Sequence, residues 1–212
     1  MSDVTRVALV RHGESQAAVE GVVAGLRGDV GLSERGRAQV GALRDRLART
    51  GELTADSLLS STLPRAIETA EIIAPVLAAP DIVQDGDLRE LLPGECDGLT
   101  WDEYDERYGV DMHADPFAPI APGGESLVEF NLRVDRVLNR LAHEHEGRSV
   151  VVACHGGIVV GSLLAFLGLP VQKSPPVDLP VTNASITEWE RRDGRWRLLR
   201  FNDFAHLMGL GA

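Results

Sequence analysis

The sequence predicts an α/β fold: a single three-layer domain over residues 1–212, with a mostly parallel central sheet flanked by helices and an antiparallel edge. Three observations carry this. The short apolar runs Val7-Ala8-Leu9-Val10 and Val150-Val151-Val152-Ala153-Cys154 have the pattern of buried strands. Segments with apolar residues at helical spacing alternate with such runs, as strand–helix–strand crossovers require. Late in the chain, Asp193-Gly194 separates Ser185-Ile186-Thr187-Glu188-Trp189 from Trp196-Arg197-Leu198-Leu199-Arg200, a strong hairpin signal that supplies the antiparallel edge.

Taken in order, the first strand ends in Arg11-His12-Gly13-Glu14-Ser15. Residues 16–32 carry Gly, Asp and small side chains without a clear period and read as a connection. Ser33 suits the N-cap of a helix from about Glu34 to Arg49, with Val40, Leu43 and Leu47 as its apolar stripe and Gly51 as its stop. Ser57-Leu58-Leu59-Ser60 is the second strand. Pro64 opens the next helix, where its missing N–H costs nothing, and Ile67, Ala70, Ile73, Ala74 and Leu77 give that helix a core face. Arg65 falls in its first turn. Ile82-Val83 reads as a short strand, 88–100 as a loop, and Trp101-Asp102-Glu103-Tyr104 as the start of a short acidic helix. Residues 109–124, rich in proline and closed by Gly123-Gly124, form a loop able to overhang a crevice. Ser126 caps the longest helix, to about Glu146, with Leu127, Phe130, Val134, Val137, Leu138 and Leu141 at helical spacing. The Val150 strand ends in His155-Gly156-Gly157. Ile158 to Leu167 is an apolar helix stopped by Gly168 and Pro170, and residues 171–182 are a proline-bearing loop.

Composition narrows the function. At 212 residues the chain can bury one substantial core. A net charge of −11 and a pI near 5.0 argue against nucleic-acid or membrane-surface partners. Two cysteines, Cys96 and Cys154, are too few for a secreted disulfide framework, and Cys154 ends an apolar strand as a small buried hydrophobe. Met1-Ser2-Asp3-Val4 does not open a signal peptide and no apolar run is long enough to span a bilayer, so a cytoplasmic protein is expected. No set of His, Cys, Asp and Glu has metal-ligand spacing. The acidic residues after Trp101 read as a solvated face, His143 and His145 as surface residues near a helix end, and His113 and His206 lack a supporting cluster.

Two strands that each deliver a His-Gly pair at the C-terminal end suggest imidazoles converging on one crevice, the usual place for ligands of open α/β sheets. Arg11-His12-Gly13-Glu14-Ser15, Ser61-Thr62-Leu63-Pro64-Arg65-Ala66 with Thr69-Ala70, Leu88-Arg89-Glu90, Pro122-Gly123-Gly124-Glu125-Ser126 and His155-Gly156-Gly157 occur in one order along nearly the whole chain. In these motifs the sequence resembles the histidine phosphatase superfamily, which holds phosphoglycerate mutases and many phosphomonoesterases.

The leading reading is a metal-independent phosphatase, with no cofactor, acting on a small phosphate monoester. His12 would attack phosphorus and become a phosphohistidine. Arg11, Arg65 and His155, with backbone N–H groups near Gly13 and Gly156, would hold the phosphate oxygens. Glu90 occupies the family's place for the proton donor. Alternatives stay open: Glu95 or Asp97 could be the acid, because Pro93-Gly94-Glu95-Cys96-Asp97-Gly98 replaces the usual Gly-acid-Trp-Glu-Gly. Glu14 could be catalytic, although the resemblance makes it a structural partner, and by symmetry alone His155 could be the nucleophile.

One departure is Ala18, where many members carry Asn. It keeps open a degenerate phosphate-binding or regulatory protein. Between mutase and phosphatase, the short segment Trp101 to Pro122, with Arg107 as its one Lys or Arg, favours hydrolysis. A homodimer is compatible with the sequence.

Overall fold

Residues 4–78, 81–170 and 177–209 are described in a computed structural model. A six-stranded sheet runs through the molecule in the order β3-β2-β4-β1-β5-β6. Strands β1 (Thr5–Arg11), β2 (Ser57–Ser61), β3 (Ile82–Asp85) and β4 (Ser149–Cys154) are mutually parallel. Strands β5 (Ile186–Arg192) and β6 (Arg195–Asp203) close one side antiparallel, as the hairpin signal requires. The turn uses Asp193 at φ 51° and Gly194 at φ 73°, the left-handed pair of a two-residue hairpin.

Helices cover both faces. Alternate residues of β1 and β4 point opposite ways, so Ala8, Val10, Val151 and Ala153 pack with Val40, Leu43 and Leu47 of α2 (Glu34–Thr50) and Ala70 and Ile73 of α3 (Pro64–Leu77). Val7, Leu9, Val150 and Val152 face the other way, against Phe130, Val134 and Leu138 of α5 (Leu127–Glu144) and Ile158 of α6 (Gly156–Leu167). A third, smaller cluster of Val23, Cys96, Tyr104, Ile120 and Ala121 lies under the connecting segments. Among the described residues no helix is long and apolar enough to cross a membrane.

The helix termini follow their capping residues. Ser33 accepts the amide of Gly36, and Gly51 ends α2 at φ 60°. Thr100, before α4 (Trp101–Arg107), and Ser126, before α5, each form a full capping box with Glu103 and Glu129. The longest helix stops at Glu144, two residues before the expected end. The connection at 16–32 holds an element its sequence does not announce: α1 (Gln16–Glu20), capped by Ser15 and too short to show a period. Ile67 and Ala74, expected on the core face of α3, are half-buried. The proline-bearing loop expected at 171–182 lies partly outside the described residues, at 171–176.

One charged network ties α2 to the sheet edge. Arg46 pairs with Asp203 and with Glu52, and Arg200 donates to Glu52 at 2.6 Å. Hydrogen bonds from Arg46, reinforced by Arg200 and Thr50, hold the Glu52 carboxyl down to about 2 from the usual 4.5, against the opposing effect of burial. A depressed carboxylate contributes its stability above pH 4.5 and loses it as pH falls towards 2. Glu52→Gln is therefore expected to lower stability at neutral pH by about 2 kcal/mol and to flatten the fall in melting temperature across that window. Parallel melting-temperature curves for both proteins would contradict this.

Candidate active site

Strand register assembles the site. Arg11 of β1 lies opposite Cys154 of β4, and the amide of His12 donates to the Cys154 carbonyl at 2.9 Å. Both strands thus end at the same level, and the next residues are the two histidines. Their ring centroids are 5.2 Å apart. On the far side of β4, Ser60 pairs with Ala153, so Ser61 reaches His155, Oγ to Nε2 at 2.8 Å. The turn from β2 into α3 then brings Arg65 back over His12.

His12 is held in one tautomer. Its Nδ1 lies 2.6 Å from the carbonyl of Gly13, which can only accept, so Nδ1 carries the proton and Nε2 the lone pair. The Arg65 Nε–H points at that lone pair from 3.1 Å. Burial, then the charges of Arg65 and Arg11, hold the imidazole well below its usual range, outweighing the Gly13 hydrogen bond. His155 is held neutral likewise, by burial and then by Arg65, His12 and Arg11. Neutral rings at pH 7 suit a nitrogen nucleophile.

The surrounding donors are fixed or free in a telling pattern. Arg65 is almost fully buried. Its Nη1 pairs with Asp29 at 2.7 Å and reaches the Ala24 carbonyl at 3.2 Å. Asp29 in turn accepts the amide of Gly31. Arg11 donates through Nη1 to the Val181 carbonyl. Burial lowers the Arg11 pKa, with Glu90 opposing that shift. By contrast, Arg11 Nε and His155 Nδ1 are buried with no hydrogen-bond partner among the described residues. Arg11 lines the cleft, where a guanidinium donor suits an anion, whereas His155 is fully buried and is not among the cleft-lining residues.

Arg11, His12, Arg65 and Glu90 line one cleft of about 310 Å³. Glu90 is its carboxylate, with Oε2 accepting the amide of Gly157 at 3.0 Å and Oε1 that of Leu91 at 3.1 Å. Glycine at 157 leaves room for this contact and for the Phe130 ring, since a Cβ there would stand 2.2 Å from Glu90 Oε1 and 2.8 Å from Phe130.

A model of the histidine phosphatase superfamily (branch 1) matches residues 7–204. The chain belongs to that superfamily. It is 32% identical to the metal-independent phosphoserine phosphatase of Arabidopsis thaliana, over 99% of this chain and 86% of that one. Among solved structures, a mycobacterial glucosyl-3-phosphoglycerate phosphatase superposes with a TM-score of 0.77 at 29% identity, covering 94% of this chain and 99% of the other. The Bacillus stearothermophilus protein YhfR gives 0.79 at 30%, covering 96% and 99%. The six-stranded mixed sheet between helices is the fold of these phosphoglycerate mutase-like proteins.

Within the histidine phosphatase frame, some expected residues lie elsewhere. The Gly13 amide donates to Thr69 Oγ1 at 3.3 Å instead of standing free for a ligand. Glycine is needed there for close packing, since a Cβ would meet the Gly36 carbonyl of α2 at 2.5 Å. Gly156 does lie at the site, where a Cβ would be 3.5 Å from Arg11 Nε. Of the alternative acids, Glu95 meets the Tyr108 hydroxyl, and Asp97 is occupied by the amides of Gly25, Arg27 and Gly28. Glu14 accepts the Ser33 hydroxyl at 2.7 Å, a structural tie to α2. Ala18 is on the cleft wall. His143 and His113 are exposed, His145 is half-buried beside Ser57, and His206 joins the Arg46 network. Among the described residues no group of His, Cys, Asp and Glu could hold a metal ion.

Two supporting residues escape sequence reasoning. Arg133, on the buried side of α5, grips Glu125 with both arms and donates to the carbonyls of Asp87, Arg89 and Glu90, fixing the Glu90 segment. Its signal is its place beside Val134 in the apolar stripe. Asp29 anchors Arg65, and its only signal is Gly28-Asp29 ahead of the Ser33 cap. Asp29→Asn keeps the shape but leaves the guanidinium without its counter-charge. It is expected to cost about 3 kcal/mol of stability and about tenfold or more in kcat/KM. Denaturant melts and steady-state rates of the same preparation test both, and unchanged kcat/KM would contradict the anchoring role.

Proposed function

We propose that this phosphatase hydrolyses a small phosphate monoester without a metal ion, in two steps. In the first, His12 Nε2 forms a bond to phosphorus as the ester oxygen–phosphorus bond breaks, and Glu90 gives its proton to the leaving alkoxide. Arg11 and Arg65 neutralise the charge of the nonbridging oxygens, and the neutral His155 ring adds a hydrogen bond to them. In the second, water gives a proton to the Glu90 carboxylate and attacks phosphorus. The phosphorus–nitrogen bond breaks, releasing inorganic phosphate and restoring both residues.

The observation that supports this most is the single His12 tautomer, with Nε2 unprotonated beneath the Arg65 fork. Two of the relatives are named as phosphatases, one of phosphoserine and one of glucosyl-3-phosphoglycerate, which supports hydrolysis and leaves the substrate open. The phosphate charge is matched by side chains, so turnover is expected to be unchanged in excess chelator. Loss of turnover in chelator, restored by a divalent ion, would overturn the metal-free mechanism.

A further inference from the structure

Beyond the charged floor of the cleft, its wall is apolar. Val22, Leu91, Pro93, Trp101, Met112 and Ile120 face it, with small side chains including Ala18 between them. Ser15, the polar residue among them, caps α1 through the Ala18 amide. The neighbouring Arg89 and Arg27 are absent from the cleft lining: Arg89 Nε donates to the Gly86 carbonyl, and Arg27, largely exposed, reaches the Gly94 carbonyl and Asp97. Among the described wall residues no cation awaits a second acidic group, and the side-chain donors are two, the Ser15 hydroxyl at the α1 cap and the Trp101 indole N–H.

We infer that the cleft selects monoesters whose organic half is apolar and uncharged, an aryl or arylalkyl phosphate, over phosphorylated amino acids, hydroxy acids or sugars. The inference rests on the phosphatase reading and concerns the substrate of that same site. A carboxylate brought against this wall gives up its water and finds no cation, and several hydroxyls cannot all be paired by two donors, a net loss. An apolar group gains from the same desolvation in proportion to its area. Trp101 is the specificity-determining contact. Its indole is 49% exposed at the cleft, and the Tyr104 ring backs it edge-on at 5.7 Å. That leaves a ring surface free to stack.

The test compares 2-phenylethyl phosphate with phosphoserine and glucose 6-phosphate, all esters of alkyl alcohols, so that leaving-group reactivity does not decide the ranking. The phenylethyl ester is expected to have a kcat/KM about tenfold or more above the others. Trp101→Ala is expected to raise its KM about tenfold, with kcat and the inhibition constant of inorganic phosphate little changed. Higher kcat/KM for phosphoserine or glucose 6-phosphate overturns the selectivity and leaves the phosphatase reading standing. No turnover of any ester counts against the phosphatase reading. Selectivity is then read from calorimetry on the intact protein, where benzylphosphonate is expected to bind more tightly than 2-amino-4-phosphonobutyrate. Equal or reversed affinities overturn it.

Discussion

His12→Ala is expected to lower kcat by about 10⁴-fold or more, the scale seen when the nucleophile of a covalent mechanism is removed. The size follows from how much of the site is built around one atom. The Gly13 carbonyl fixes the tautomer, the β1–β4 register fixes the ring against His155, and Arg65 stands over Nε2. A methyl group leaves two arginines that can still bind phosphate and nothing to displace the alcohol. Substrate affinity should therefore survive better than turnover. The wild-type pH profile carries a linked expectation. Burial and two guanidinium groups hold the imidazole well below 6.5, so it stays neutral as pH falls through that value. Activity should not titrate away with an ordinary histidine near pH 6.5. A His12→Ala protein with a substantial fraction of wild-type kcat would end the mechanism.

Glu90→Gln has the next largest effect, and it depends on the substrate. Glutamine keeps the shape, but its single carbonyl oxygen can accept only one of the Gly157 and Leu91 amides, which now reach two different oxygens, and it has no proton to give. For alkyl esters, whose alkoxide leaves poorly, kcat should fall about 10²–10⁴-fold. Aryl esters need little protonation of the leaving group, so their first step should be far less affected. Their phosphoenzyme should then accumulate, because the same residue activates water in the second step. Rapid-quench measurement of both steps with one alkyl and one aryl ester separates these effects. An equal fall for both esters would make Glu90 a structural residue. Glu95→Gln is expected to show neither signature, since that carboxylate meets Tyr108.

Much of the fold and the site is legible in the sequence because the decisive residues stand at ends of elements. Val7–Val10 and Val150–Cys154 read as buried strands, so His12 and His155 are placed by where those strands stop. Pro64 places Arg65 in a first turn in the same way. What stays hidden depends on contacts across long sequence distances. Asp29 and Arg65 are a buried pair whose partners come from a loop and a helix, and neither residue advertises the other. Arg133 looks like one more helix arginine until five hydrogen bonds tie it to Glu125 and to the carbonyls before the acid. The surroundings of Gly13 were hidden for the same reason. A glycine beside a catalytic-looking histidine suggests an open amide, whereas the space was needed by Gly36 of α2, and Thr69 took the hydrogen bond. Local periodicity likewise missed α1, which is five residues long and held by its cap.

The central claim is that phosphorus passes through His12. Its most direct test is to quench the protein during turnover of a phosphorus-labelled aryl ester in alkali, where phosphohistidine survives, and to locate the label by peptide mapping. The account predicts acid-labile phosphate on the peptide holding His12, and none in His12→Ala. Label on His155, or label retained by His12→Ala, would contradict it.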